Sequence, residues 1–268
     1  MTAPGTHARS TARDTVGDMT EAAPPVVALQ LYTIREALRE DADAALARLA
    51  AMGYEHVEPF DMVGFGRPLA DAIRRAGLRA VSAHQSLIGQ DMEAVCAAAA
   101  DFGVELVVEP WVDPDRWSTP EEIGAVGADL AEAARVAERH GIRVGYHNHW
   151  FELEQRFAGR TGLEVLAGHL PPDVVLEVDT YWAAVGGEDP AALLGRLGPR
   201  VAALHLKDGP ISRDTKAQVP VGQGRMRIGE IVAAAPHAMR VVELDDSELD
   251  RFEALAQSRD YLVREGLA

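Results

Sequence analysis

Thiol chemistry is nearly absent from this chain, since Cys96 is the one cysteine in 268 residues. A lone cysteine forms no internal disulfide, so nothing calls for an oxidising compartment. Its setting in the alanine-rich run 94–100 marks it as a small core residue. Long apolar runs are missing too. No stretch of about 18 apolar residues occurs, which excludes a membrane-spanning helix. The first 25 residues lack the apolar segment of a secretory signal and are rich in Thr, Ala, Arg and Pro. They are expected to form a disordered tail ahead of one domain over 26–268, and the expected location is the cytoplasm. Positive charge is scarce as well: 26 Lys and Arg stand against 42 Asp and Glu, a net charge of −16. That balance repels a phosphate backbone and an anionic membrane, so neither nucleic acid nor a membrane is the expected partner. A small molecule is, and a homo-oligomer stays open.

What is present is a hydrophobic fraction of 47%, enough for a large core, and one unit repeated from Val26 onward. A short apolar, β-branched run ends in a polar residue, and a turn then leads into an amphipathic helix. The apolar runs are 26–31, 54–59, 78–84, 104–109, 142–147, 174–179, 201–206 and 240–244, which makes eight candidate strands. Between two of them Ile123, Val126, Leu130, Ala134 and Ala137 recur at spacings of three and four, one face of a helix. Thr119-Pro120-Glu121-Glu122 ahead of it fits a capping box with proline at the first helical position. Gly53, Gly77, Gly103 and Gly141 each follow a helical pattern and precede a strand, as helix-closing glycines do. Near-continuously apolar strands alternating with helices predict a parallel sheet, and eight such units in one domain predict an α/β fold, a single (β/α)₈ TIM barrel. The turn after the first strand, Tyr32-Thr33-Ile34-Arg35, has no glycine, which argues against a dinucleotide-binding sheet.

In such a barrel the active site forms where strands hand over to the following loops. Those positions hold Gln30, Glu58, His84, Glu109, His147 with His149, Asp179, His205 with Lys207, and Glu243. A rim shaped only by stability has no reason to gather so many histidines and carboxylates. Asp179, His205 and Glu243 come from consecutive strands and are expected to meet around one ion. Mixed oxygen and nitrogen donors without thiolate suit Mn²⁺, Co²⁺, Mg²⁺, Fe²⁺ or Zn²⁺ in a catalytic rather than a structural site. The fourth ligand is expected from the preceding strand, where His147 and His149 share one face. Either histidine fits, and His147 is preferred because its depth better matches that of Asp179.

The segments Tyr146-His147-Asn148-His149-Trp150-Phe151-Glu152, Val178-Asp179-Thr180-Tyr181-Trp182, Leu204-His205-Leu206-Lys207-Asp208, Val219-Pro220-Val221-Gly222-Gln223-Gly224 and Val242-Glu243-Leu244-Asp245 resemble the xylose isomerase-like superfamily. Sugar isomerases and epimerases such as D-tagatose 3-epimerase belong to it, as do inosose dehydratase and endonuclease IV. The resemblance implies a Glu-Asp-His-Glu site from the last four strands that binds Mn²⁺ or a similar ion. In it, two glutamates remove and return a proton beside a carbonyl through a metal-stabilised enediolate. Asp179, His205 and Glu243 match that pattern. The first glutamate does not, because the His-Asn-His stretch stands there, a feature shared with inosose dehydratase.

The leading expectation is therefore a metal-dependent sugar isomerase or epimerase. A metal-dependent lyase, acting on a keto-cyclitol or a keto-glycoside, is the second, and a sugar-binding barrel without turnover the third. Glu243 is the candidate base, His149 or Glu152 the complementary acid, and Lys207 a binder of substrate or stabiliser of an oxyanion. Gln30, Glu58, His84 and Trp182 are candidate substrate contacts, with Trp111 and Trp150 as further possible walls of the pocket. The loop 208–224 is expected to cover the substrate. The acidic residues after Glu243, namely Asp245, Asp246, Glu248 and Asp250, read as the solvated start of the last helix. No glycine-rich phosphate cradle stands in the later loops, which points to an unphosphorylated ligand.

Overall fold

A computed structural model describes Met1 and residues 26–268, so the expectation for residues 2–25 lies outside the described residues. Among the described residues eleven strands follow in chain order: β1 (Val27–Gln30), β2 (His56–Glu58), β3 (Arg79–Ala80), β4 (Ala83–His84), β5 (Leu106–Glu109), β6 (Arg143–His147), β7 (Arg156–Phe157), β8 (Arg160–Thr161), β9 (Val175–Asp179), β10 (Val201–Leu206) and β11 (Met239–Val242). Nine of them form one parallel sheet in the order β3-β2-β1-β11-β10-β9-β6-β5-β4. β3 and β4 are two pieces of a single barrel strand, the first paired with β2 and the second with β5. The two ends of the sheet thus meet in the chain, and eight strand positions close a barrel, as the eight apolar runs predict. The expected strand 78–84 is interrupted at Val81-Ser82, where Ser82 donates to the carboxylate of Glu58. The hairpin of β7 and β8 has no counterpart in the sequence reading. It leads into the helix Gly162–His169, whose start is a reciprocal capping box between Thr161 and Glu164.

Helices fill the outer layer for local reasons. Thr119 caps the helix Pro120–Glu138 by accepting from the amide of Glu122 at 3.2 Å, and Ile123, Val126, Leu130, Ala134 and Ala137 are buried along one face. Gly53, Gly77, Gly103 and Gly141 lie at φ of 87°, 75°, 74° and 72°, a conformation that glycine adopts without Cβ strain. Cys96 is buried. No helix among the described residues is long and apolar enough to cross a membrane.

The strands alternate as a covered barrel requires. Leu29, Val107, Leu176, Val178, Leu204 and Val242 join the main core, shared with the helices, while their neighbours face the other way. Ala28, Ala203 and Val241 form one separate apolar cluster, and Leu106, Val108 and Val175 another, inside the barrel. Gly145 belongs to that interior, where an added Cβ would stand 3.2 Å from Val108 and 3.5 Å from Val175. Two residues further along the same strands the inward side chains change character, to Gln30, Glu177, His205 and Glu243. An apolar plug below and a polar layer above it therefore follow from one period of two.

Candidate functional site

The polar layer is buried, and its members hold one another. Glu177 stands at its centre: Oε2 lies 2.5 Å from His84 Nε2, 3.1 Å from His147 Nδ1 and 3.0 Å from His205 Nε2. Glu58 lies beside it, 2.9 Å from both Gln30 Nε2 and His205 Nε2. Burial, joined by the charge of Glu177, pushes the Glu58 carboxyl up. Burial would raise Glu177 as well, but the imidazoles of His205 and His84 outweigh it and hold Glu177 well below the usual carboxylate range.

One level higher, His205 Nδ1 lies 2.7 Å from Glu243 Oε2. Lys207 Nζ lies 2.9 Å from Asp179, 2.8 Å from Glu243 and 2.9 Å from Asp245, with its side chain 1% exposed. Burial opposes a charged lysine, but the three carboxylates overcome it and keep Lys207 an ammonium. Burial likewise opposes ionisation of Glu243, and Lys207 and His205 reverse that effect, so Glu243 stays a carboxylate. Asp179 is pushed up to about 6, because burial there outweighs Lys207.

Ligand atoms of His147, Asp179, His205 and Glu243 lie within 4.8 Å of one another, and so do those of His84, His147, Glu177 and His205. Asp179 Oδ2 is buried and paired with the Lys207 ammonium at 2.9 Å, with His147 Nε2 3.8 Å away, and among the described residues no aligned hydrogen bond reaches it. Its lone pairs are therefore not used up by Lys207 and leave room for a bound ion. The donor set, two imidazoles and two carboxylates, suits a catalytic divalent ion. The register places His147 opposite Glu177, and Asp179 opposite His205. His147 is therefore one level deeper than the sequence reading has it, and reaches Asp179 only through the length of its ring.

Above these groups opens a cavity of about 400 Å³. His84, His147, His149 and Glu243 line it, whereas Asp179 and His205 are buried just behind its surface. Gln30 and Glu58 stand beneath it, engaged with each other. Trp182 also stays off the wall, packed on Trp150 at 4.9 Å with the Lys207 ammonium 5.6 Å from its ring. Trp111, by contrast, lines the cavity. Glu152 is buried and supports the wall from outside, accepting from the Tyr146 hydroxyl at 2.7 Å and from the amide of His149 at 2.9 Å. Burial pushes its carboxyl up to about 8. Burial also drops His149 to about 3, so this imidazole is neutral.

Two members of the site are not expected there from the sequence: Glu177, and Asp245, which reads as the start of the last helix. Glu177 sits two residues before Asp179 on an alternating strand, so strand periodicity alone points it inward. Asp245 is no part of the start of the last helix, which begins at Arg251 with Asp250 as its cap. It lines the cavity and is bound by Lys207 and Gln218. The loop 208–224 does not form a cover over the cavity. The buried carboxylate of Asp208 knits it together, accepting from the amides of Gly209, Gly222 and Met226, and Gln218 braces Asp245 from the side.

A sequence profile described as xylose isomerase-like TIM barrel matches residues 46–262. The chain belongs to that family. Among solved structures, the xylose isomerase-like chain is similar to a sugar phosphate isomerase/epimerase from Parabacteroides distasonis, with 24% identity and a TM-score of 0.78 over 94% of this chain and 98% of that one. It is similar also to the probable 3-DHS dehydratase of petrobactin synthesis from Bacillus anthracis, at 13% identity and a TM-score of 0.70 over 89% and 98%. A third relative is the IOLI protein with a bound zinc atom, at 17% identity and a TM-score of 0.68 over 89% and 97%. No curated protein sequence matches the chain.

Proposed function

We propose that this xylose isomerase-like barrel is a divalent-metal-dependent sugar isomerase or epimerase that moves a proton next to a carbonyl. The observation that carries this reading is the buried cluster of His147, Asp179, His205 and Glu243, whose ligand atoms lie within 4.8 Å of one another directly under the cavity. These four residues would hold the ion, Mn²⁺ being the expected one, with Co²⁺, Mg²⁺, Fe²⁺ and Zn²⁺ as alternatives. When bound, the ion supplies Lewis-acid stabilisation of the substrate oxygen that gains charge as the proton leaves.

The remaining chemistry falls to side chains. Glu243 faces the cavity as a carboxylate and takes the proton. Lys207 holds Asp179, Glu243 and Asp245 in fixed orientations, and its charge favours an anion forming above it. His149, neutral and also on the cavity lining, donates its ring N–H to the substrate oxygen that gains charge, with Glu152 fixing its backbone, and the proton goes back from Glu243. His84 reaches the substrate hydroxyls directly, whereas Gln30 and Glu58 act through His205, and Trp182 through Lys207.

One observation favours a second reading, a lyase. The imidazole of His149 stands on the cavity lining where a second glutamate would be needed for two-base epimerisation, which leaves Glu243 as the one carboxylate base and suits loss of a leaving group whose oxygen a bound ion would stabilise. The same Mn²⁺-loaded protein decides between them when keto-sugars and inososes are incubated in D₂O. Deuterium in recovered or epimerised sugar supports the isomerase, and loss of water or an aglycone supports the lyase. Neither outcome with any substrate, while sugar still binds, would leave a binding barrel without turnover.

A further inference from the structure

Among the described residues the cavity is lined by three carboxylates, Asp61, Glu243 and Asp245, and by neither lysine nor arginine. Phosphate and carboxylate ligands are held by Arg or Lys side chains or by uncommitted backbone N–H groups at helix starts. Around this rim both kinds of donor are already engaged. Lys207 is shared among three carboxylates. Arg35 Nη1 donates to the carbonyls of Tyr32 and Asp245.

The backbone donors are taken in the same way. At the helix Met62–Arg75 the amide of Val63 is bound by Gln85, and that of Gly64 by Asp61. In the loop after β4 the amides of Leu87 and Ile88 both donate to Glu109, and after β6 the amide of His149 donates to Glu152. A divalent ion and Lys207 together carry three positive charges, against four carboxylates in Asp61, Asp179, Glu243 and Asp245. The rim therefore offers carboxylate acceptors, neutral donors on Tyr32, Gln85 and Ser86, and no uncommitted cation among the described residues, the reverse of an anion site and the match of a ligand rich in hydroxyl groups.

Opposed in character to the carboxylates are three aromatic rings of the lining, Tyr32, Phe60 and Trp111. Trp111 is 50% exposed and Tyr32 39% exposed, both on the cavity wall. Phe60 stiffens Tyr32 edge-to-face at 5.3 Å. Large rings left open to water around a cavity mark a binding surface.

Resting on the sugar-transforming reading above, we infer that the substrate is an uncharged polyhydroxyl sugar, bearing neither phosphate nor carboxylate, whose apolar C–H face lies on Trp111. Its hydroxyls donate to Glu243, Asp245 and Asp61, and an added phosphate would meet these same carboxylates without a counter-charge.

Matched pairs test this on Mn²⁺-loaded protein by tryptophan fluorescence and calorimetry: D-fructose with D-fructose 6-phosphate, and D-ribulose with D-ribulose 5-phosphate. The neutral member should bind at least tenfold tighter in each pair. Asp61→Asn, which keeps the helix cap, should narrow the gap severalfold by removing one repelling charge. Trp111→Ala should weaken the neutral sugar severalfold and leave Mn²⁺ affinity intact. Equal or tighter binding of the phosphate esters, or no binding of any sugar, overturns the inference. Deuterium exchange confined to a sugar phosphate would also overturn it while sparing the proposed reaction. Neutral sugars that bind but never exchange would leave the preference standing and remove the reaction.

Discussion

After β9, β10 and β11 the rim carries Asp179, Lys207, Glu243 and Asp245, whereas after β1, β2 and β5 it carries Tyr32, Phe60 and Trp111. The ionic side is sunk and over-determined. Lys207 meets three carboxylates, His205 is held on both nitrogens, and Asp179 caps its own helix through the amide of Trp182 at 2.8 Å. The aromatic side is open, and Trp111 stands half in solvent. Buried charges held from several directions cost too much to rearrange, which suits chemistry requiring fixed positions. Exposed rings tolerate ligands of different outline. On the proposed reading, one half of the rim would set rate and the other would set substrate choice.

The largest effect should come from Asp179→Asn. It removes one carboxylate of the proposed ion site and, with it, one of three charged partners of a buried ammonium. Mn²⁺ affinity should fall more than about 100-fold, with metal-dependent exchange lost, and stability should fall by about 3 kcal/mol. Metal analysis and chemical denaturation of the same sample check both parts. Full exchange activity in this variant would dissolve the division between the two halves.

Glu177→Gln comes next. Its carboxylate faces the ring nitrogens of His84, His147 and His205, and so orients two of the proposed ligands. A glutamine keeps the volume but presents an amide that must turn its own donors toward one of those rings. Ion affinity should drop about 10–100-fold, measured by Co²⁺ titration of the apoprotein. The absorption bands of bound Co²⁺ should shift as the imidazoles reorient, which mere loss of packing would not produce.

How much of this was open to sequence reasoning depended on whether a residue's role was set by its own strand or by its neighbours. The barrel was legible because period-two burial, helix caps at Thr119 and closing glycines such as Gly103 are local. Asp179, His205 and Glu243 were legible because each ends a strand. Glu177 was missed since it lies two residues inside its strand, where the run reads as plain core. Only the closed ring brings His84, 93 residues earlier, onto it. Asp245 is not legible for a similar reason: its partner Lys207 is 38 residues away, and the last helix starts later, at Arg251. The interruption at Val81-Ser82 was invisible because Glu58, which draws in Ser82, belongs to another strand.

A smaller, pH-dependent effect belongs to the wall behind His149. The carboxyl of Glu152 sits at about 8 because burial favours its neutral form. A folded value above the usual 4.5 means that its contribution is fully present below 4.5 and is lost as pH rises through 8. Wild type should therefore lose about 4 kcal/mol more than Glu152→Gln between pH 5 and pH 9. Urea titrations at the two pH values measure the difference, and parallel curves for the two proteins would show that Glu152 is charged throughout.

The smallest expected effect is the one that bears most directly on the division of labour. Trp111→Ala removes a half-exposed ring that touches none of the proposed ligands, so the ionic network and the ion should be unaffected. If the aromatic side only selects substrate, KM for a neutral sugar should rise about 2–10-fold, the range of a single lost stacking contact, while kcat stays within about twofold. That pattern marks an interaction made equally in ground and transition states. A fall in kcat as large as the rise in KM would mean that Trp111 also orients the reacting carbon over Glu243. The aromatic wall would then belong to the catalytic geometry, and the two halves of the rim would act as one.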